Sequence, residues 1–235
     1  MDFFTPFVIA VQMLAGFDAA LYEIIGLSLQ VSLVAVGAAL ILGLPSGALL
    51  ASFPFTGRAA VVVVTNTLLS LPPVVVGLGV YLLISRSGPL GFLDLLYSPT
   101  AMMMAQFILV LPLSIALSRQ LFEGLHQDYD QLFKSLNLSK AKRVMALLAD
   151  GKAALVTIAL VCFGRAISEV GAVILVGGNI KHVTRVMTSA IALETARGEL
   201  AFALALGLVL LFISLVVNIL SHQVRTRFEH EGRHD

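Results

Sequence analysis

Arg119–Lys152 reads RQLFEGLHQDYDQLFKSLNLSKAKRVMALLADGK, the one long polar passage between strongly apolar runs. It holds six of the fifteen Lys and Arg residues: Arg119, Lys134, Lys140, Lys142, Arg143 and Lys152. A membrane protein keeps such a loop on the cytosolic side, because carrying Lys and Arg across is costly. Within it, Tyr129, Leu132, Phe133 and Leu136 recur at the spacing of one helix face. That pattern predicts a short amphipathic helix over 128–138, with an apolar stripe in need of a partner.

Composition agrees with a membrane setting. Of 235 residues, 58% are hydrophobic and 12% charged, about half the charged fraction of a soluble domain, and the mean hydropathy is +0.97. The fold class is all-α: the apolar runs are helix-length and do not alternate as barrel strands would. Five spans are expected, at about 22–50, 59–84, 101–121, 153–176 and 200–220. The short run 3–14 is expected as an interfacial helix. No basic residue precedes Arg58, which argues against a secretory signal. Pro45 is expected to kink the first span and Pro112 to interrupt the third. The division is an N-terminal segment over 1–20, a transmembrane body over 21–222 and a tail over 223–235.

An odd number of spans puts the termini on opposite sides. With the tail inside, Arg58, the six loop residues, Arg225, Arg227 and Arg233 are cytosolic. Only Arg86, Lys181, Arg185 and Arg197 are then outside. The bias predicts an outer N-terminus and a cytosolic C-terminus.

Net charge is +1, so nucleic acid is not an expected partner. The lone Cys162 forms no disulfide within one chain, and the scattered histidines suggest no metal site. No catalytic constellation is visible. The only Gly-Lys pair, Gly151-Lys152, is followed by Ala153 rather than the Ser or Thr of a phosphate-binding loop. No ATP site or other cofactor is expected on this chain.

Two features are costly in a membrane. Thr65, Asn66, Thr67 and Ser70 precede Pro72-Pro73 in the second span; they form either a packed kink or part of a polar pathway. Arg165 and Glu169 lie four apart in the fourth span and can pair. They are either a self-neutralised pair that orients its helix or part of a gate. Amides near Gly177 and Gly178 are further expected donors to an anion, and Lys181 and Arg185 would face outward.

Three stretches carry a family resemblance: YEIIGLSLQVSL (22–33), SLPPVVVGLGVYLL (70–83) and FGRAISEVGAVILVGGN (163–179), the last continuing to Leu211. They resemble the membrane subunit of type I ABC importers, near the tungstate, molybdate and sulfate branch. The family's loop carries an E-A-A motif, a glycine four residues on and a distal Leu-Pro. Here Gln131-Leu132-Phe133, Asn137 and Ala149-Asp150 stand in those places. Asn tolerates the left-handed conformation that glycine supplies.

The resemblance implies the type I importer permease fold with a cytosolic coupling helix, and a homodimer in a prokaryotic inner membrane. It implies a cytosolic ATPase dimer that binds the ATP and an extracytoplasmic oxyanion-binding protein. Tungstate is the implied substrate, with molybdate or sulfate as alternatives. The docking residues would be Asp130, Gln131, Leu132, Phe133, Leu136 and Asn137, with Phe133 and Leu136 as anchors. An ATP-independent secondary transporter or channel is the other class, suggested by breaks at Pro72-Pro73 and Gly177-Gly178.

Overall fold

The computed structural model describes the backbone of residues 4–231. Ten α-helices and a short 3-10 turn, Gly91–Leu93, make up these residues, with no strand among them. The helices are α1 (Phe4–Ala15), α2 (Ala19–Ser52), α3 (Arg58–Leu69), α4 (Pro73–Ile84) and α5 (Pro99–Ser135). They continue as α6 (Lys140–Asp150), α7 (Lys152–Ile167), α8 (Gly171–Gly177), α9 (Met187–Arg197) and α10 (Leu200–Glu231).

Helices α2, α5 and α10 are each long and apolar enough to cross a bilayer. The pairs α3–α4 and α7–α8 are bent by 100° and 59° at short breaks, and the total is five when each pair is counted as one span. Helix α1, with 12 residues, reaches only about 18 Å at 1.5 Å per residue, short of the hydrocarbon core. Local chemistry sets the starts. The Asp18 carboxylate accepts the Leu21 amide at 3.0 Å and caps α2. The Ser98 hydroxyl accepts the Ala101 amide at the start of α5. Pro73 opens α4, where its missing N–H is no loss.

The chain divides into two compact units. One comprises Met1–Ala35, Pro72–Gln106 and Gly164–Val216; the other comprises Val36–Leu71, Phe107–Phe163 and Val217–Asp235. The first therefore holds every segment expected outside, and the second every segment expected in the cytosol.

In the second unit, α2 meets α5 along Gly43-x-x-x-Gly47. A side chain at Gly43 would strike Ser114, and a Cβ at Gly47 would lie 2.7 Å from the Ile115 carbonyl oxygen. The close approach brings hydroxyls across. Ser114 donates to the Ala39 carbonyl at 3.1 Å and Ser118 to the Leu44 carbonyl at 2.8 Å. One proline expectation is corrected here: Pro112 does not interrupt α5, and Pro45 lies inside a continuous α2. Both prolines lie in this packed seam, where neighbouring helices and serines offset the lost ladder bonds. Gly47→Val is expected to destabilise the chain by about 1–3 kcal/mol through overpacking, read as a lower thermal unfolding midpoint in detergent.

In the first unit, α4 lies against α8. A Cβ on Gly77 would come within 2.6 Å of the Ala172 Cα. Met102, Val173, Val176, Met187 and Leu206 are buried around this contact. The last helix runs beyond the expected span of 200–220: α10 continues to Glu231.

Candidate functional site

The fourth span breaks between Ile167 and Gly171, and Glu169 organises the break. It is 5% exposed, and its Oε2 accepts Arg165 Nη1 at 2.9 Å. Its Oε1 accepts the Ala172 amide at 3.3 Å, placing a carboxylate at the positive end of α8. Its carbonyl accepts the Thr188 hydroxyl at 2.8 Å, which ties α9 to the break. Gln106 donates to the nearby Ala166 carbonyl at 3.1 Å. Arg165 and Glu169 thus pair as the four-residue spacing predicts. Arg165 is 43% exposed, so only one partner is buried.

The second span breaks at Ser70-Leu71-Pro72, and Pro72 and Pro73 start α4. Thr65 donates its hydroxyl to the Val61 carbonyl and Thr67 to Val63, both at 2.9 Å. Those hydroxyl protons are already engaged, and what remains is acceptor oxygen, the wrong polarity for an anion. Asn66 and Ser70 are exposed and keep side chains able to donate.

The glycine expectation also changes. Gly178 sits at φ +69° as the C-cap of α8 and donates its amide to Ile174 at 2.9 Å. The buried Gly177 offers its carbonyl to the Thr184 hydroxyl. These groups close a turn against Met102 and Tyr97 and are not free amide donors.

In the polar loop, the helix expected over 128–138 is the end of α5. The separate short helix is α6. The turn between them is built as the sequence suggested. Asn137 adopts φ +47°, and the Leu138 amide reaches the Phe133 carbonyl at 3.2 Å. That is the Schellman helix end, usually made with glycine. The docking anchors part company. Phe133 is 4% exposed, packed with Ala48 and Phe122 and flanked by Tyr129, Leu138 and Leu155. Its ring is covered within its own chain. Leu136 is 58% exposed, as is Met145 on α6 at 69%. The side chains of Asp130, Gln131 and Leu132 lie outside the described residues.

Three clusters escaped the sequence reading. Glu123 bridges Arg58 at 2.7 Å and Arg119 at 2.8 Å, and Arg58 Nε also donates to the Leu50 carbonyl. Glu194 bridges Arg185 and Arg197 at 3.3 and 3.4 Å. His182 Nδ1 lies 2.8 Å from a Glu23 oxygen. Only Arg119–Glu123 and Glu194–Arg197 have helical spacing to betray them; the other pairs are made by folding.

No cluster of metal ligands occurs among the described residues. The family of binding-protein-dependent transport system inner membrane components matches residues 39–230. The chain belongs to that family. It is 40% identical to the tungstate uptake system permease protein TupB of Peptoclostridium acidaminophilum over 216 residues, 92% of this chain and 95% of that one. It is 41% identical to the Campylobacter jejuni protein of the same name over 173 residues, 74% and 72% of the two chains. A Haloferax volcanii protein described as "Probable anion ABC transporter permease protein" is 38% identical over 212 residues, 88% and 91%. The chain is thus an all-α, polytopic permease subunit of the inner membrane. Its loop and breaks are those of a transporter component.

Proposed function

We propose that this permease carries tungstate into the cell by alternating access driven by a separate ATPase. The observation that carries the reading is the likeness, along nearly the whole chain, to permeases named for tungstate uptake. Two copies form the pathway, with Asn66 and Ser70 among the groups lining it, and the Arg165–Glu169 pair holds the break within the fourth span. Weak contacts suit transport, since tight binding would stop release. An extracytoplasmic binding protein delivers the anion, and discrimination from molybdate resides mainly there.

The cytosolic ATPase dimer docks on the α5–α6 corner. Leu136 and Met145 are apolar and exposed there, and such side chains at a polar end mark an interface. The N-terminus faces outward and the C-terminus inward, as the Lys and Arg bias requires.

The test is reconstitution with the ATPase and the binding protein. Labelled tungstate uptake is expected only with both partners and ATP. Molybdate is expected to compete and sulfate to compete poorly. Uptake by the chain alone under an ion gradient would replace this reading with a secondary transporter.

A further inference from the structure

A cleft of about 720 Å³ lies wholly within the first unit, apart from the span breaks. Its walls are apolar, from Ile9 and Met13 of α1, Ile24 and Leu27 of α2, and Phe202 of α10. Lys181, Arg185 and Glu199 also line it.

Its depth follows from its neighbours. Helix α1 cannot span, and it exposes Phe7, Val8, Ile9 and Val11. It therefore lies in the interface. Helices α2 and α10 begin beside the cleft, at Ala19 and Leu200. The cavity thus joins apolar walls to a set of charged side chains, Glu23, Lys181, Arg185, Glu194, Arg197 and Glu199.

The charges narrow the occupant. Glu194 is neutralised by Arg185 and Arg197, and Glu23 is held by His182. Lys181 is exposed. The apolar walls disfavour a bare divalent oxyanion, which needs donors on every side. An acyl chain below a phosphate matches both halves.

We propose that the cleft holds one membrane phospholipid, with its chain between α1 and α10 and its phosphate at Lys181 and Arg185. The lipid seats α1 against the bundle and fixes the loop between α8 and α9.

The chain has no tryptophan, so Phe202→Trp introduces a single fluorophore in the cleft. Phe212→Trp, at an exposed position of α10, reports bulk lipid. Both are reconstituted in phosphatidylcholine vesicles with increasing brominated phosphatidylglycerol or brominated diacylglycerol, which lacks the phosphate. The cleft fluorophore is expected to be quenched at a lower mole fraction of the phospholipid than of the diacylglycerol. Adding Lys181→Gln to Phe202→Trp should raise the half-quenching fraction about fivefold, the contribution of one Lys near a lipid surface. The fluorophore of Phe212→Trp should follow mole fraction alone, and inorganic phosphate should change neither signal. Equal quenching of the cleft fluorophore by both lipids, or no effect of Lys181→Gln, would overturn the proposal. Relief of quenching by tungstate or by the binding protein would also overturn it, reassigning the cleft to substrate or partner.

Discussion

Arg165→Ala is expected to damage this permease more than Glu169→Gln, although the two residues share one ion pair. Glu169 is 5% exposed and Arg165 43%. Removing the arginine strands a buried anion, a change that costs about 3–5 kcal/mol. Removing the carboxylate's charge instead leaves an arginine that is partly open. Gln keeps an oxygen for the Ala172 amide, so α8 retains its N-terminal partner. The double variant, Arg165→Ala with Glu169→Gln, should recover part of the loss, because the stranded charge is gone. Unfolding of the four proteins in detergent gives the coupling energy directly. Equal losses from both single variants would mean that the pair is not buried on one side as described.

The second large effect separates Phe133 from Leu136, three residues apart near the same helix end. Phe133→Ala empties a site packed by Ala48 and Phe122 and is expected to cost about 3–5 kcal/mol of stability. Leu136→Asp removes an exposed side chain and should leave the unfolding midpoint nearly unchanged. Its effect appears with the ATPase present. Loss of an interface anchor worth about 2 kcal/mol weakens association roughly 30-fold, and coupled tungstate uptake falls with it. Stability is read from thermal unfolding and association from co-purification at graded ATPase concentrations. If Leu136→Asp binds ATPase as wild type does, the docking surface lies elsewhere.

These two residues also show what a sequence can and cannot display. The apolar stripe on residues 129–136 was plain, but periodicity says which face is apolar and not what covers it. The buried cluster that Phe133 shares with Ala48, distant in sequence, and with Phe122 of its own helix assigns it to the chain's own core. Asn137 was legible because left-handed tolerance is a property of the residue itself. Arg165–Glu169 was legible because four residues make one helical turn. Arg58–Glu123 was not, since only packing joins α3 to α5.

The prolines teach the same lesson in reverse. Pro45 and Pro112 each remove a donor, and a lone helix would bend there. Between Gly43, Gly47, Ser114 and Ser118 the two helices pack closely, and each stays continuous past its proline. Span number needed no such information, because runs of apolar residues already match the bilayer in length. The hydroxyls of Thr65 and Thr67 looked like anion donors in the sequence. Their bonds to Val61 and Val63 come from the helix itself, where a Thr hydroxyl reaches the carbonyl four residues back.

The central claim is that this bundle draws its driving force through a cytosolic corner exposing Leu136. Leu136→Cys in a Cys162→Ala background gives a chain with one thiol at that corner. The measurement is its labelling by a membrane-impermeant thiol reagent in right-side-out and inverted vesicles, with and without the ATPase. Labelling only in inverted vesicles, and its loss when the ATPase binds, is the predicted result. Labelling in right-side-out vesicles, or labelling that the bound ATPase leaves unchanged, would contradict it.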